Sequence, residues 1–149
     1  MPKTSTTKPY ISTVGRRSEA VARVRLYATG KVSLKGGTEL KKGDIYVNDQ
    51  PINEYFRFFA YAPVYNKLLL DTETAGKYTF TIKTSGGGLA GQVGAAVLGM
   101  ARALDKLDKE KYHKLLRDKG YLTVDSRTRE RRKVGNAGKA RRKKSSPKR

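Results

Sequence analysis

Apolar and polar residues alternate without a break from Ala20 to Tyr27. Ala20, Ala22, Val24 and Leu26 fall on one side, and Val21, Arg23, Arg25 and Tyr27 on the other. A period of two over this length predicts a strand with one buried face. Arg23 and Arg25 then occupy adjacent outward positions about 7 Å apart by strand rise, similar to the spacing of phosphates along a nucleic-acid strand. Residues 1–9 read as a flexible tail, and strands begin from Tyr10. A second short strand fits Lys31–Leu34, broken by Gly36-Gly37, so Lys35–Gly43 reads as an exposed basic loop. Ile45-Tyr46-Val47 is a third strand, closed by the turn-forming Asn48-Asp49-Gln50-Pro51. Pro51 suits the first turn of a short helix through Tyr55-Phe56. Arg57–Leu70 is apolar and aromatic and reads as buried and helical. Tyr78, Phe80 and Ile82 alternate with Thr79, Thr81 and Lys83 in a further strand.

The period then changes. Behind Gly86-Gly87-Gly88, the residues Leu89, Val93, Val97, Met100, Leu104 and Leu107 recur at spacings of three and four, the stripe of an amphipathic helix. Gly91, Gly94, Ala95 and Gly99 make a second face of small residues, which lets another element approach the backbone. Lys109–Lys119 fits a shorter helix ended by Gly120, and apolar periodicity stops after Val124. These elements predict an α+β fold, a small mixed sheet with packed helices over residues 10–124, followed by a basic extension over 125–149.

Charge changes the meaning of that extension. The 149 residues include 33 Lys or Arg against 13 Asp or Glu, a formal charge of +20. Residues 126–149 hold 12 of the cations and one acid, Glu130, which leaves only +9 on the rest of the chain. The segment has no aromatic residue and too few apolar ones to offset its ordering entropy, so it is expected to be disordered until it binds a polyanion. Each phosphate neutralised by Lys or Arg releases counterions, which is what such a density of charge serves. Arg127, Arg129, Arg131, Arg132, Lys133, Lys139, Arg141, Arg142, Lys143 and Lys144 are therefore candidate nucleic-acid contacts. Without aromatics the segment is expected to grip backbone and grooves rather than stack on bases.

Other chemistries find little support. There is no Cys and only one His, His113, so thiol catalysis, disulfides and multi-histidine metal sites are excluded and no cofactor is expected. No apolar run approaches a membrane span, no secretory signal is expected, and neither a membrane partner nor a homo-oligomer is expected. Gly86-x-Gly88-x-x-Gly91 matches the dinucleotide fingerprint by letter, but the acid that should end a second parallel strand is missing, since Asp105 and Asp108 close the same helix. Gly86, Gly87, Gly88 and Gly91 fit a tight turn with close helix packing, or a backbone approach to an RNA phosphate. Charge points to a non-enzymatic nucleic-acid-binding protein; on DNA it would be an architectural protein, and a nucleotide-dependent enzyme is the other rival.

Three segments together resemble the family of the ninth small-subunit ribosomal protein in its bacterial or organellar form. They are Gly15-Arg16-Arg17-Ser18-Glu19-Ala20-Val21-Ala22-Arg23-Val24, the Gly86-Gly87-Gly88-Leu89-Ala90-Gly91-Gln92 turn with Arg102-Ala103-Leu104, and Asp125-Ser126-Arg127 through Glu130-Arg131-Arg132-Lys133-Val134-Gly135 to Lys148-Arg149. The resemblance implies a left-handed βαβ crossover, as in the second domain of the fifth small-subunit protein, and a place on the rRNA of the subunit head beside other head proteins. It implies that Arg16, Arg17, Arg23 and Arg25 hold rRNA, and that Lys148 and Arg149 reach the transfer RNA of the peptidyl site. The expected location is the ribosome of the cytoplasm, with an organellar ribosome as the alternative. Val97-Leu98 replaces an Arg-His pair common in bacterial members, so that helix face is expected to meet protein or core instead of RNA. Ser18 stands where Lys is usual, and Asn136-Ala137-Gly138 has one residue more than the family pattern.

Overall fold

Ala20–Tyr27 forms the expected strand, and the molecule is built around it. The structure, a computed structural model, describes residues 10–28, 32–33 and 39–141. β1 (Ile11–Arg17) and β2 (Ala20–Tyr27) make an antiparallel hairpin closed by Ser18 and Glu19, with Arg17 opposite Ala20 and Ile11 opposite Leu26. β3 (Val32–Ser33) and β4 (Glu39–Leu40) pair as a separate ribbon. Next come β5 (Ile45–Val47), β6 (Gln50–Pro51), α1 (Ile52–Tyr55), α2 (Ala62–Asp71), β7 (Thr79–Ser85), α3 (Leu89–Leu107) and α4 (Lys109–Asp118). The main sheet runs β1-β2-β7-β5-β6. It is mixed, because β5 lies parallel to β7 while the other neighbours are antiparallel. The α+β class and the mixed sheet are as the sequence pattern predicts.

All helices contribute to one core on the inner face of that sheet. Ala20, Ala22, Val24 and Leu26 of β2 are fully buried, and so are Phe80 of β7 and Met100 and Leu104 of α3. The small-residue face of α3 has a definite partner, the β1–β2 hairpin. A Cβ on Gly99 would come within 2.5 Å of the Val24 side chain, and one on Gly94 within 3.2 Å of Arg17. Two further contacts tie strand to helix: the Thr13 hydroxyl donates to the Gly99 carbonyl at 2.8 Å, and Arg102 donates to the Val14 carbonyl at 2.7 Å. α4 is N-capped by Asp108, whose carboxylate accepts from the Lys111 amide at 3.1 Å, and stops before Gly120 at φ +75°.

Three expectations need correcting. Arg57–Leu70 is neither wholly helical nor wholly buried: α2 begins at Ala62, and Phe58, Phe59 and Leu70 are exposed. Phe56, Tyr65 and Leu68 already fill the space under the sheet, so Phe58 packs on Phe59 and on Tyr61 instead. Lys35–Gly43 is not loop throughout, since β4 falls inside it and Leu40 is buried; residues 35–38 of that stretch lie outside the described ones. Leu89, assigned to the buried stripe of α3, is exposed in its first turn. Smaller shifts follow the same logic. The β5–β6 turn is only Asn48-Asp49, both at positive φ as a tight hairpin requires, and Pro51 caps α1 rather than opening it.

Candidate nucleic-acid interface

Alternation along the strands decides where the arginines go. Ala22 and Val24 point into the core, so Arg23 and Arg25 point away from it and are exposed. Cross-strand pairing puts Arg16 beside Val21, Val14 beside Arg23, and Lys83 of β7 beside Arg23 on its other side. Arg16, Arg23, Arg25 and Lys83 thus share the outer face of the sheet, opposite the helices, and all four are exposed. Lys83 was missed in the sequence. Its position opposite Arg23 depends on a strand pairing some sixty residues apart, which single-strand alternation cannot show.

Arg17 is not with them. One residue on from Arg16, it turns to the helix side, where its stem lies against Gly94. Its guanidinium is 3.0 Å from Asp125 and donates to the Arg127 carbonyl at 3.1 Å. Asp125 also accepts from the Arg127 amide at 3.0 Å and receives the Arg127 side chain at 2.7 Å. One carboxylate therefore ties the root of the basic segment to β1. These bonds, Arg127 first, hold the Asp125 carboxyl well below the usual carboxylate range. The depressed pKa means the tie is complete above the ordinary Asp range and is lost only as the pH falls well below it. Exposed ion pairs contribute little to global stability. Asp125→Asn is therefore expected to leave the melting temperature within about 2 °C while speeding limited tryptic cleavage at Arg127 and Arg129. Unchanged cleavage would show that the tie does not hold the root.

Beyond Asp125 the described chain, to Arg141, has neither helix nor strand. Arg127, Arg129, Arg131, Arg132, Lys133, Lys139 and Arg141 are all exposed. A turn at 133–139 brings the Lys133 amide to the Lys139 carbonyl at 3.2 Å, and Glu130 accepts a forked pair of bonds from Arg141. Arg142, Lys143, Lys144, Lys148 and Arg149 lie outside the described residues.

Close packing explains most of the glycine turn. A Cβ on Gly86 would meet the Glu19 carbonyl at 2.5 Å, one on Gly87 the Ala20 backbone at 3.1 Å, and one on Gly91 the Ala20 side chain at 3.3 Å; only Gly88 faces open space. Asp105 sits near the opposite end of α3, about 25 Å away by helix rise, where it bonds His113 at 2.7 Å. No acid of α3 is therefore placed to hold a ribose at the turn.

Comparison with known proteins bears on the same residues. The sequence pattern of the family described as Ribosomal protein S9/S16 matches residues 15–149. The chain belongs to the ribosomal protein S9/S16 family. Among its relatives are proteins named small ribosomal subunit protein uS9 from Dehalococcoides mccartyi strains 195, BAV1 and CBDB1. Each is 40% identical over 126 residues, covering 85% of this chain and 86% of the relative. Members of the S9/S16 family are structural ribosomal components and not enzymes. The likeness of the three segments is thus one of family membership, and the nucleotide-dependent enzyme falls away. Val97 and Leu98 are both buried in the chain's own fold, so that helix face meets the core. Among the described residues no group of three or more acids or histidines could hold a metal, and no helix is long and apolar enough to cross a membrane.

Proposed function

We propose that this chain is a structural constituent of the small ribosomal subunit that binds rRNA through two separate cationic surfaces. The body docks through Arg16, Arg23 and Arg25, with Arg17 acting at the root of the basic segment. Residues 125–149 thread through rRNA and order on binding, and Lys148 and Arg149 contact the transfer RNA of the peptidyl site. The partners are small-subunit rRNA, head proteins of that subunit and that transfer RNA, and the location is the cytoplasmic ribosome, with the organellar one as the second case. The β5–α1–α2–β7 connection is taken as the left-handed crossover of the family resemblance, and Gly88 is the one glycine of its turn left open to a phosphate.

The observation that carries this reading is the concentration of charge. More than half of a +20 excess lies on 24 residues, and every described cation among them is exposed. That arrangement gains most from a polyanion that can displace its own counterions. The protein is expected to sediment with the small subunit at moderate salt, and co-purification with DNA instead would overturn the assignment. Removing residues 145–149 should leave subunit assembly intact and weaken transfer-RNA binding at the peptidyl site. Unchanged affinity in truncated subunits would refute the terminal contact alone.

A further inference from the structure

The outer face of the sheet carries more than scattered charge. Arg23 and Lys83 stand directly opposite each other across β2 and β7, and like charges in that position destabilise a sheet. The nearest relief is slight. Asp49 reaches Lys83 at 4.0 Å with both side chains half exposed, and among the described residues no carboxylate pairs with Arg16, Arg23 or Arg25. An anion bound outside the sheet would relieve that repulsion.

The same face ends in an aromatic group. The Arg25 guanidinium lies 4.8 Å from the centre of the Tyr10 ring, and the Tyr10 and Tyr27 rings are 5.6 Å apart. Both tyrosines are half-buried and Arg25 is exposed. Aromatic rings and arginine planes are the surfaces on which unpaired bases stack. The basic segment at the other end of the chain has no aromatic residue at all.

We propose that this open face receives a single-stranded stretch of RNA: Arg16, Arg23 and Lys83 hold its phosphates, and the Tyr10–Arg25–Tyr27 group stacks one unpaired base. The inference rests on the rRNA-binding reading above and adds to it a site, a substrate class and three residues, Tyr10, Tyr27 and Lys83.

The test uses the full chain and purified small-subunit rRNA in filter binding over a salt series. Arg23→Gln with Lys83→Gln should flatten the slope of log affinity against log salt by about 1.4, the loss of two single-strand phosphate contacts. Tyr27→Leu, which keeps the apolar bulk, should weaken binding about 5- to 100-fold with the slope unchanged, and Tyr27→Phe should restore it. As a control, Lys114→Gln with Arg117→Gln on α4 should do neither. Equal effects from the α4 pair, or a Tyr27→Leu protein that binds normally, would overturn the proposal. So would a photo-crosslinker at position 27 that joins a neighbouring protein instead of RNA in assembled subunits. None of these results touches the subunit assignment, which fails only if the unaltered protein does not travel with the subunit.

Discussion

Deleting residues 126–149 is expected to remove most of the chain's affinity for rRNA without unfolding its body. The deletion takes away 12 Lys or Arg and one acid and leaves a body of +9. If half of those cations meet phosphates, the slope of log affinity against log salt falls by about 4 to 5, and affinity at low salt by about 100-fold or more. The body should barely notice. The described contacts between the segment and β1 are the Arg17 bonds to Asp125 and to the Arg127 carbonyl, and Asp125 is retained, so the melting temperature should move by less than about 2 °C. A salt slope that survives the deletion would put the phosphate contacts on the sheet face instead and reverse the division of labour between the two surfaces.

That division was legible in the sequence only in part. The charge asymmetry is a matter of counting, and the outward pair Arg23 and Arg25 follows from a period of two within one strand. Both needed nothing from the tertiary structure. Partners distant in sequence were hidden. Arg17 and Asp125 are more than a hundred residues apart, and no pattern within either segment joins them. The one local signal at Asp125 is the arginine two residues on, close enough for the carboxylate to take both its amide and its side chain. Lys83 was hidden for the same reason as its cross-strand neighbour.

The misreading of Arg57–Leu70 has a different origin. Apolar residues crowd that stretch with no period to assign them a side, and composition alone makes it look like core. The core had no room. Phe56, Tyr65 and Leu68 are buried beneath the sheet while Phe59, between them in sequence, is 81% exposed. For α3 the opposite held. Two periodic faces, one of large residues and one of small, specified both a buried stripe and a close approach, and the hairpin that approaches is the one carrying the outward arginines.

That close approach sets the second large effect. Gly15→Ala is expected to destabilise the body by about 3 kcal/mol, the upper range for overpacking, and to lower the melting temperature by about 10 °C for a chain of this size. Gly15 is buried in β1 with its φ in the ordinary range, so its requirement is spatial and not conformational. A Cβ there would stand 1.9 Å from the Ala95 carbonyl oxygen and 2.5 Å from the Gly99 amide nitrogen, both backbone atoms of α3. No rotamer relieves such a contact, so strand and helix must separate. Separation breaks the Thr13–Gly99 bond and opens space over Ala22, Val24 and Met100, all fully buried, with loss of their dispersion contacts. Gly88→Ala is the control, because a Cβ there meets nothing within 4 Å and φ is −99°; its effect should stay below about 1 kcal/mol. Thermal unfolding of both variants decides the matter. A Gly15→Ala protein that melts within about 3 °C of the unaltered chain would mean that α3 and β1 do not pack backbone to backbone, and the outward placement of Arg16 beside Gly15 would lose its structural basis.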